Sequence, residues 1–185
     1  MKIVGIVGSP RLGGNTEALT RIALEEIEKE GIETELISLA DKKIAPCDAC
    51  GACRTTGQCH IEDDFQEVHR KMVEAEGFIL ASPVWYGAAT PQISSLISRS
   101  YAQRGKPFDN KVGGPIVVAR RAGKNFTYAQ LMFFFMISGM IVPGSTYWNV
   151  AFGRGKGEVT KDEEGVQIIR KFGQMLAWLA MKLNA

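Results

Sequence analysis

The chain has 185 residues, an apolar fraction of 45% and a formal net charge of +2. This length suits one α/β domain with a full core. So mild a charge, without a dense run of Lys and Arg, argues against nucleic-acid binding. The longest apolar run lies within residues 131–137, far shorter than the ~20 residues that span a bilayer. No signal-peptide pattern precedes the first strand, so we expect a cytoplasmic protein without membrane contact.

Strand and helix patterns alternate along the chain. Apolar runs and period-two alternation predict strands at residues 2–7, 33–39, 77–82, 112–119 and 139–148. Helical spacing predicts helices from the N-cap Asn15 to near Gly31, from about residue 63, from Pro91, over 126–138 and over 162–183. Strict alternation favours a flavodoxin-like α/β fold, a five-stranded parallel sheet of order 2-1-3-4-5 with helices on both faces.

No linker or internal repeat is visible in the sequence. We therefore expect residues 1–185 to form a single domain, with a cysteine-rich loop at about residues 40–62. A loop of this length inside a compact domain is usually functional. The basic residues of the segment 99–111 are interpreted as a solvated loop.

Residues 8–16, GSPRLGGNT, join the first strand to the first helix. Glycines allow close approach of the backbone, and the start of a helix attracts anions. The loop lacks the Walker A and GxGxxG patterns, which disfavours nucleoside triphosphates and a conventional dinucleotide site. We expect it to hold a single terminal phosphate through Ser9, Arg11, Asn15 and Thr16. The alternative is a Gly-rich turn before a well-capped helix.

Residues 82–88, SPVWYGA, follow the third strand at the same edge of the sheet. A planar aromatic ligand needs apolar walls and backbone N–H donors, and this segment can supply both. The alternative is a structural turn in which Trp85 and Tyr86 cover the end of the sheet.

The pair of motifs G-S-P-R-x-x-G-N-T and S-P-V-W-Y-G resembles the flavodoxin-like FMN reductase superfamily. The resemblance implies that Ser9, Arg11, Asn15 and Thr16 hold the FMN phosphate. It implies ring contacts from Pro83, Val84, Trp85, Tyr86 and Gly87. Ala119 and Arg120 lie in the third loop, where Arg120 and Arg121 depart from the pattern of the superfamily. These arginines could stabilise reduced flavin, or they could be solvated or face a partner.

All four cysteines lie within one short segment, as Cys47, Cys50, Cys53 and Cys59. The spacing C-x2-C-x2-C-x5-C is typical of the wrapping of a [4Fe–4S] cluster, which takes one thiolate for each iron. A zinc site of four thiolates is the first alternative, and free or redox-switching thiols are the second. We interpret His60 as a solvated loop residue and His69 as a surface residue.

The cysteine motif, combined with the FMN loops, resembles the iron–sulfur flavoprotein family of anaerobic archaea and bacteria. That resemblance implies FMN and one [4Fe–4S] cluster per subunit, with ferredoxin as electron donor. It also implies a small-molecule acceptor, such as oxygen or peroxide, and a homodimer or homotetramer. The apolar stretch 131–136 could form the contact between subunits or belong to the core.

Two other functions stay open at the level of sequence. The first is an NAD(P)H-dependent FMN or quinone reductase whose cysteines bind zinc or nothing. The second is a redox sensor that carries a flavin or a cluster and signals through a partner without catalysis.

Overall fold

The computed structural model describes residues 1–102 and 106–185. Five parallel strands form one sheet in the order β2-β1-β3-β4-β5. The strands are β1 Lys2–Val7, β2 Glu33–Ser38, β3 Gly77–Pro83, β4 Val112–Ala119 and β5 Val150–Phe152. The predicted flavodoxin-like strand order is confirmed.

Six α-helices and one 3-10 helix connect or follow the strands in the described part of the chain. The α-helices are α1 Asn15–Glu28, α2 Ala52–Thr56, α3 Phe65–Glu74, α4 Pro91–Ala102, α5 Lys124–Ile137 and α6 Glu163–Leu183. The 3-10 helix spans Glu158–Lys161. The short helices α2 and Glu158–Lys161 were not predicted.

The sheet is buried between two apolar layers. On one face, Val4 and Phe78 pack with residues of α3, α4 and α5. On the other face, Ile3 and Ile79 pack with residues of α1 and α6. Successive side chains of a strand point to opposite faces, so runs such as GFILAS supply both layers from one strand. This accounts for helices on both faces of the sheet.

The fifth strand lies later than the sequence predicted. Residues 139–148 make one isolated bridge to the sheet, between Ile141 and Val112, and β5 begins at Val150. Pro143 has no N–H for a ladder, and Gly144 weakens an extended strand. The chain therefore leaves the sheet after Ile141 and rejoins it where Val150 pairs with Val117.

Asn15 was also predicted wrongly, since the N-cap of α1 is Gly14. The amide nitrogen of Asn15 donates to the Gly155 carbonyl at 2.8 Å, and its oxygen accepts from the Val159 N–H at 3.4 Å. The Asn15 side chain therefore makes tertiary hydrogen bonds and does not cap the helix. Asn15 thereby fastens the segment after β5 to the start of α1.

Gly173 sets the close approach of α6 to α1. A Cβ at this position would lie 2.5 Å from the Ala23 carbonyl oxygen. We expect Gly173→Ala to lower the free energy of unfolding by about 1–3 kcal/mol, the usual cost of overpacking, although alanine favours a helix by about 1 kcal/mol. Chemical denaturation measures the change. Lys171→Ala, exposed on the same helix, serves as the control, and a more stable Gly173→Ala chain would contradict this packing.

Candidate functional site

Three loops meet at the carboxyl edge of the sheet. The loop after β1 is joined to the segment after β3, because Thr90 Oγ1 donates to the Gly8 carbonyl at 2.7 Å. The segment after β3 is joined in turn to β4, because the Val84 N–H donates to the Val118 carbonyl at 2.9 Å. A Cβ on Gly123 would lie 2.9 Å from Val84 Cγ1, so the loop after β4 packs against the same segment.

The first loop presents the start of α1 to this edge. First-turn N–H groups of a helix have no partner within the helix and attract anions. Ser9 is buried, and its Oγ accepts the Arg11 N–H at 3.1 Å, which shapes the turn, whereas the Arg11 side chain is exposed. Thr16 is buried in the first turn. The amide of Asn15 faces the Gly155 segment, so Asn15 offers the loop its backbone N–H.

Two charged groups beside the first loop were missed by sequence reasoning. Glu17 accepts the Gly13 N–H at 2.8 Å and pairs with Arg21 at 2.8 Å. Burial raises the pKa of Glu17, but the hydrogen bonds from Arg21 and Gly13 outweigh it and lower the pKa overall. Lys156 Nζ would lie 3.5 Å from a Cβ on Gly13, and only the fold brings this lysine to the loop.

The second loop turns sharply so that its aromatic side chains face outward. Trp85 and Ala88 exchange two backbone hydrogen bonds of 2.9 Å, and between them Tyr86 and Gly87 have φ of 51° and 78°. Tyr86 is fully exposed and Trp85 is 43% exposed. A left-handed conformation costs a non-glycine residue stability. Such strain at an exposed aromatic side chain is typical of a ligand-binding turn.

The remaining residues that the sequence predicted to contact the flavin lie at the same carboxyl edge of the sheet. Pro83 ends β3 and is half-buried, as is Val84. Ala119 ends β4 and is buried, and Arg120 and Arg121 follow it as exposed residues. Arg120 shares a cavity with Arg154 and Lys161, as well as with the acidic residues Glu158 and Asp162.

The four cysteines line a single cavity of about 210 Å³. All of them are unpaired thiols in the described part of the chain. Cys47 Sγ accepts the Ala49 N–H at 3.4 Å, and Cys53 Sγ donates to the Ala102 carbonyl at 3.3 Å. Ala49 and Gly51 have φ of 59° and 77°, and these left-handed turns wrap the segment around the cavity. The fold thus gathers the predicted ligands at one place.

Arg99, from α4, forms part of the wall of this cavity. It is 1% exposed, its Nη1 lies 2.6 Å from Asp63 Oδ2, and its Nη2 donates to Cys59 Sγ at 3.3 Å. Burial lowers the pKa of Arg99, but the hydrogen bonds to Asp63 and Cys59 outweigh it and raise the pKa overall. The interpretation of residues 99–111 as a solvated loop is therefore wrong for Arg99. No local pattern marks this arginine, because its acceptors come from a distant segment.

Asp48, Cys50 and His60 cluster at the exposed side of the cysteine segment. Their potential ligand atoms lie within 4.8 Å of one another, and His60 Nε2 is 2.7 Å from Asp48 Oδ2. Hydrogen bonds from the backbone and thiol of Cys50, and from His60, lower the pKa of Asp48 to about 2. The Ala52 N–H lowers the pKa of Cys50, but hydrogen bonding to Asp48, burial and neighbouring negative charge raise it overall. The His60 ring is thus held by Asp48.

His69 is half-buried, and the interpretation of it as a surface residue is wrong. Its ring stacks on Phe65 at 5.0 Å and meets Phe108 edge-on at 5.6 Å between ring centroids. Burial, reinforced by the charge of Arg99, lowers the pKa of His69 from 6.5 to about 4. Phe65 lies one turn before His69 on α3, but Phe108 comes from a distant part of the chain, so the pattern of α3 alone does not show that His69 is covered.

The low pKa of His69 predicts a pH dependence of stability. Between pH 6.5 and about 4 the unfolded chain binds more protons than the folded chain, so the free energy of unfolding falls as the pH is lowered. The full loss is on the order of 3 kcal/mol. Denaturation at several pH values should show this slope, and His69→Phe should remove most of it. His60→Gln is the control, and an unchanged slope in His69→Phe would refute the assignment.

Comparison with known proteins identifies the family of the chain. The model of the NADPH-dependent FMN reductase family matches residues 1–155. An iron–sulfur flavoprotein of Methanocaldococcus jannaschii is 43% identical over 185 aligned residues, which cover 96% of this chain and 96% of that protein. The chain belongs to the iron–sulfur flavoprotein family. As a member of that family and of the FMN reductases, it is a flavin-dependent oxidoreductase.

A second iron–sulfur flavoprotein, from Methanosarcina thermophila, is 42% identical over 148 residues, which cover 78% of each chain. Among solved structures, a WrbA-like flavodoxin from Agrobacterium tumefaciens superposes with a TM-score of 0.69 at 15% identity, covering 98% of each chain. That likeness supports the flavodoxin-like fold. Within the described residues, no helix combines the length and the apolar character that crossing a bilayer would require.

Proposed function

We propose that this flavoprotein takes electrons from ferredoxin through a [4Fe–4S] cluster to FMN and passes them to a small acceptor such as oxygen or peroxide. The observation that carries the proposal is the convergence of Cys47, Cys50, Cys53 and Cys59 on one cavity. The names of the relatives support it. No protein acid, base or nucleophile is required, and the proposed setting is the cytoplasm, where ferredoxin is found.

The chemistry of the cavity fits an iron–sulfur cluster. Cluster sulfurs are stabilised by N–H donors, and Ala49 N and Arg99 Nη2 already donate to Cys47 and Cys59. Zinc, the main alternative, would draw four sulfurs to about 2.3 Å around one point. A cavity of about 210 Å³ between the cysteines favours a larger group.

The carboxyl edge fits a flavin with one phosphate. Its phosphate would be held by the first turn of α1, with Ser9, Arg11, Asn15 and Thr16. Its ring would contact Pro83, Val84, Trp85, Tyr86 and Gly87, and Ala119 and Arg120 would lie beside it. When bound, FMN supplies transfer of one electron or of a pair, which joins a one-electron donor to a two-electron acceptor.

We further propose that residues 1–185 form one domain and assemble as a homodimer or homotetramer. Arg99 lies eight residues after Pro91, about 12 Å along a helix that runs back from the carboxyl edge. The cysteine cavity is therefore displaced from the flavin loops of its own chain. On α5, Phe133 and Met136 are 67% and 66% exposed, and a second copy that covered this face could bring its cluster to the flavin.

Analysis of anaerobically prepared protein tests the cluster. We expect about four iron and four sulfide per chain, with bound FMN and little zinc. Cys50→Ser should lose the iron but keep the flavin, since the two sites are built from different segments. Its FMN should no longer be reduced by reduced ferredoxin.

Thr55→Ser, a change in the same segment that leaves all thiols in place, is the matched control and should keep both groups. Zinc in place of iron, or NADPH reducing the flavin equally well in wild type and Cys50→Ser, would contradict the proposal and favour the reductase.

Tyr86 offers a separate test of the flavin edge. Tyr86→Gly relieves a left-handed conformation and removes an exposed ring, so we expect the apo-chain to lose no stability, or to gain up to about 1 kcal/mol. The same change should weaken FMN binding about fivefold or more, because stacking of an aromatic side chain on a planar base is worth about 1–3 kcal/mol. Thermal unfolding and quenching of FMN fluorescence measure the two effects. Trp178→Ala, on α6, is the control, and unchanged FMN affinity in Tyr86→Gly would argue against this pocket.

A further inference from the structure

Arg99 is the point at which α4 meets the cysteine segment. Besides Asp63 and Cys59, its guanidinium donates to the Ala45 carbonyl at 3.2 Å and to the Ile61 carbonyl at 3.0 Å. Its Cζ lies 4.1 Å from the centroid of the Phe65 ring. One side chain therefore holds the two ends of the cysteine segment and touches one of the proposed ligands.

Within the part of the chain that the structure describes, one N–H of Arg99 has no acceptor. Nε is buried and has no hydrogen-bond partner among residues 1–102 and 106–185. A buried donor without an acceptor is unfavourable, and native proteins leave few of them. Arg99 also lines the cavity shared by the four cysteines, so its positive charge lies beside any anionic group held there.

We propose that Arg99 is a positioning residue that fixes Cys59 and raises the reduction potential of the cluster. This inference rests on the proposed function, because it assigns a role toward the cluster. The role belongs to a residue that donates a hydrogen bond to a cluster ligand, Cys59. Neither the spacing of the cysteines nor the family comparison points to this residue.

The physical reason is the charge that reduction adds. One electron, taken from a low-potential donor, makes the cluster and its thiolates one charge more negative. N–H donors to the sulfur and a nearby cation stabilise the reduced form more than the oxidised form. Asp63 balances Arg99, but it contacts Nη1 while Cys59 contacts Nη2. The cation is thus the member of the pair that touches the ligand.

Redox titration of the loaded protein, followed by absorbance and electron paramagnetic resonance, tests the proposal. At a fixed solution potential, Arg99→Gln should lower the ratio of reduced to oxidised cluster about tenfold, or about 59 mV for one electron. Arg99→Lys keeps the charge without the planar fork and should fall between wild type and Arg99→Gln. Arg54→Gln removes an exposed charge from the wall of the same cavity and should change the ratio less, because solvent screens it.

The outcomes separate this role from a structural one. If Arg99 only tethers the segment, Arg99→Gln will lower iron content and thermal stability, but the clusters that remain will titrate at the wild-type potential. That result overturns the proposal and leaves the proposed function standing. A wild-type chain without iron overturns both.

A second measurement covers the case in which the Arg99 variants do not keep a cluster. Arg54→Gln protein with isotopically labelled arginine is reduced and examined by pulsed electron paramagnetic resonance. We expect a hyperfine coupling between the cluster and a guanidinium nitrogen, because Arg99 Nη2 donates to Cys59 Sγ. A spectrum without arginine coupling overturns the proposal.

Discussion

The buried ion pair between Arg99 and Asp63 is the interaction on which the cysteine cavity depends. Its members come from α4 and from the residues just before α3, and its shortest N–O distance is 2.6 Å. Removing one partner of such a pair costs about 3–5 kcal/mol, because the other charge stays buried. Asp63 also accepts the Ala45 N–H at 2.8 Å, so the pair fixes both ends of the segment that carries the cysteines.

Two chemical environments follow from this arrangement. The carboxyl edge of the sheet offers N–H groups, glycines and exposed aromatic rings, which suit a phosphate and a flat ring. The cysteine cavity lies farther along α4 and offers sulfur, N–H donors and a buried cation, which suit an anionic cluster. The two environments are separate, and a different segment of the chain forms each of them. An exposed apolar face on α5 provides a surface where a second copy could join them.

The sequence alone predicted those features of the fold and the site that depend on a local pattern of residues. Runs of Ile, Val and Leu identified β1, β3 and β4, and the cysteine spacing identified the residues that share a cavity. It failed where a distant partner decides the outcome. Asn15 is held by the Gly155 segment instead of capping α1, and Arg99 is buried against acceptors that lie 36 to 54 residues earlier in the chain. Burial of a polar side chain depends on such partners, so composition and periodicity cannot reveal it.

Four thiolates from one segment are proposed to hold a single cubic cluster. Mössbauer spectroscopy of the anaerobically prepared, iron-loaded chain decides this point, because the spectrum distinguishes iron in a cube from iron bound alone. We expect nearly all protein-bound iron to give the signal of a [4Fe–4S] cluster, with every site ligated by sulfur. A spectrum of isolated iron in a four-thiolate site, or a chain that retains no iron, would refute the cluster.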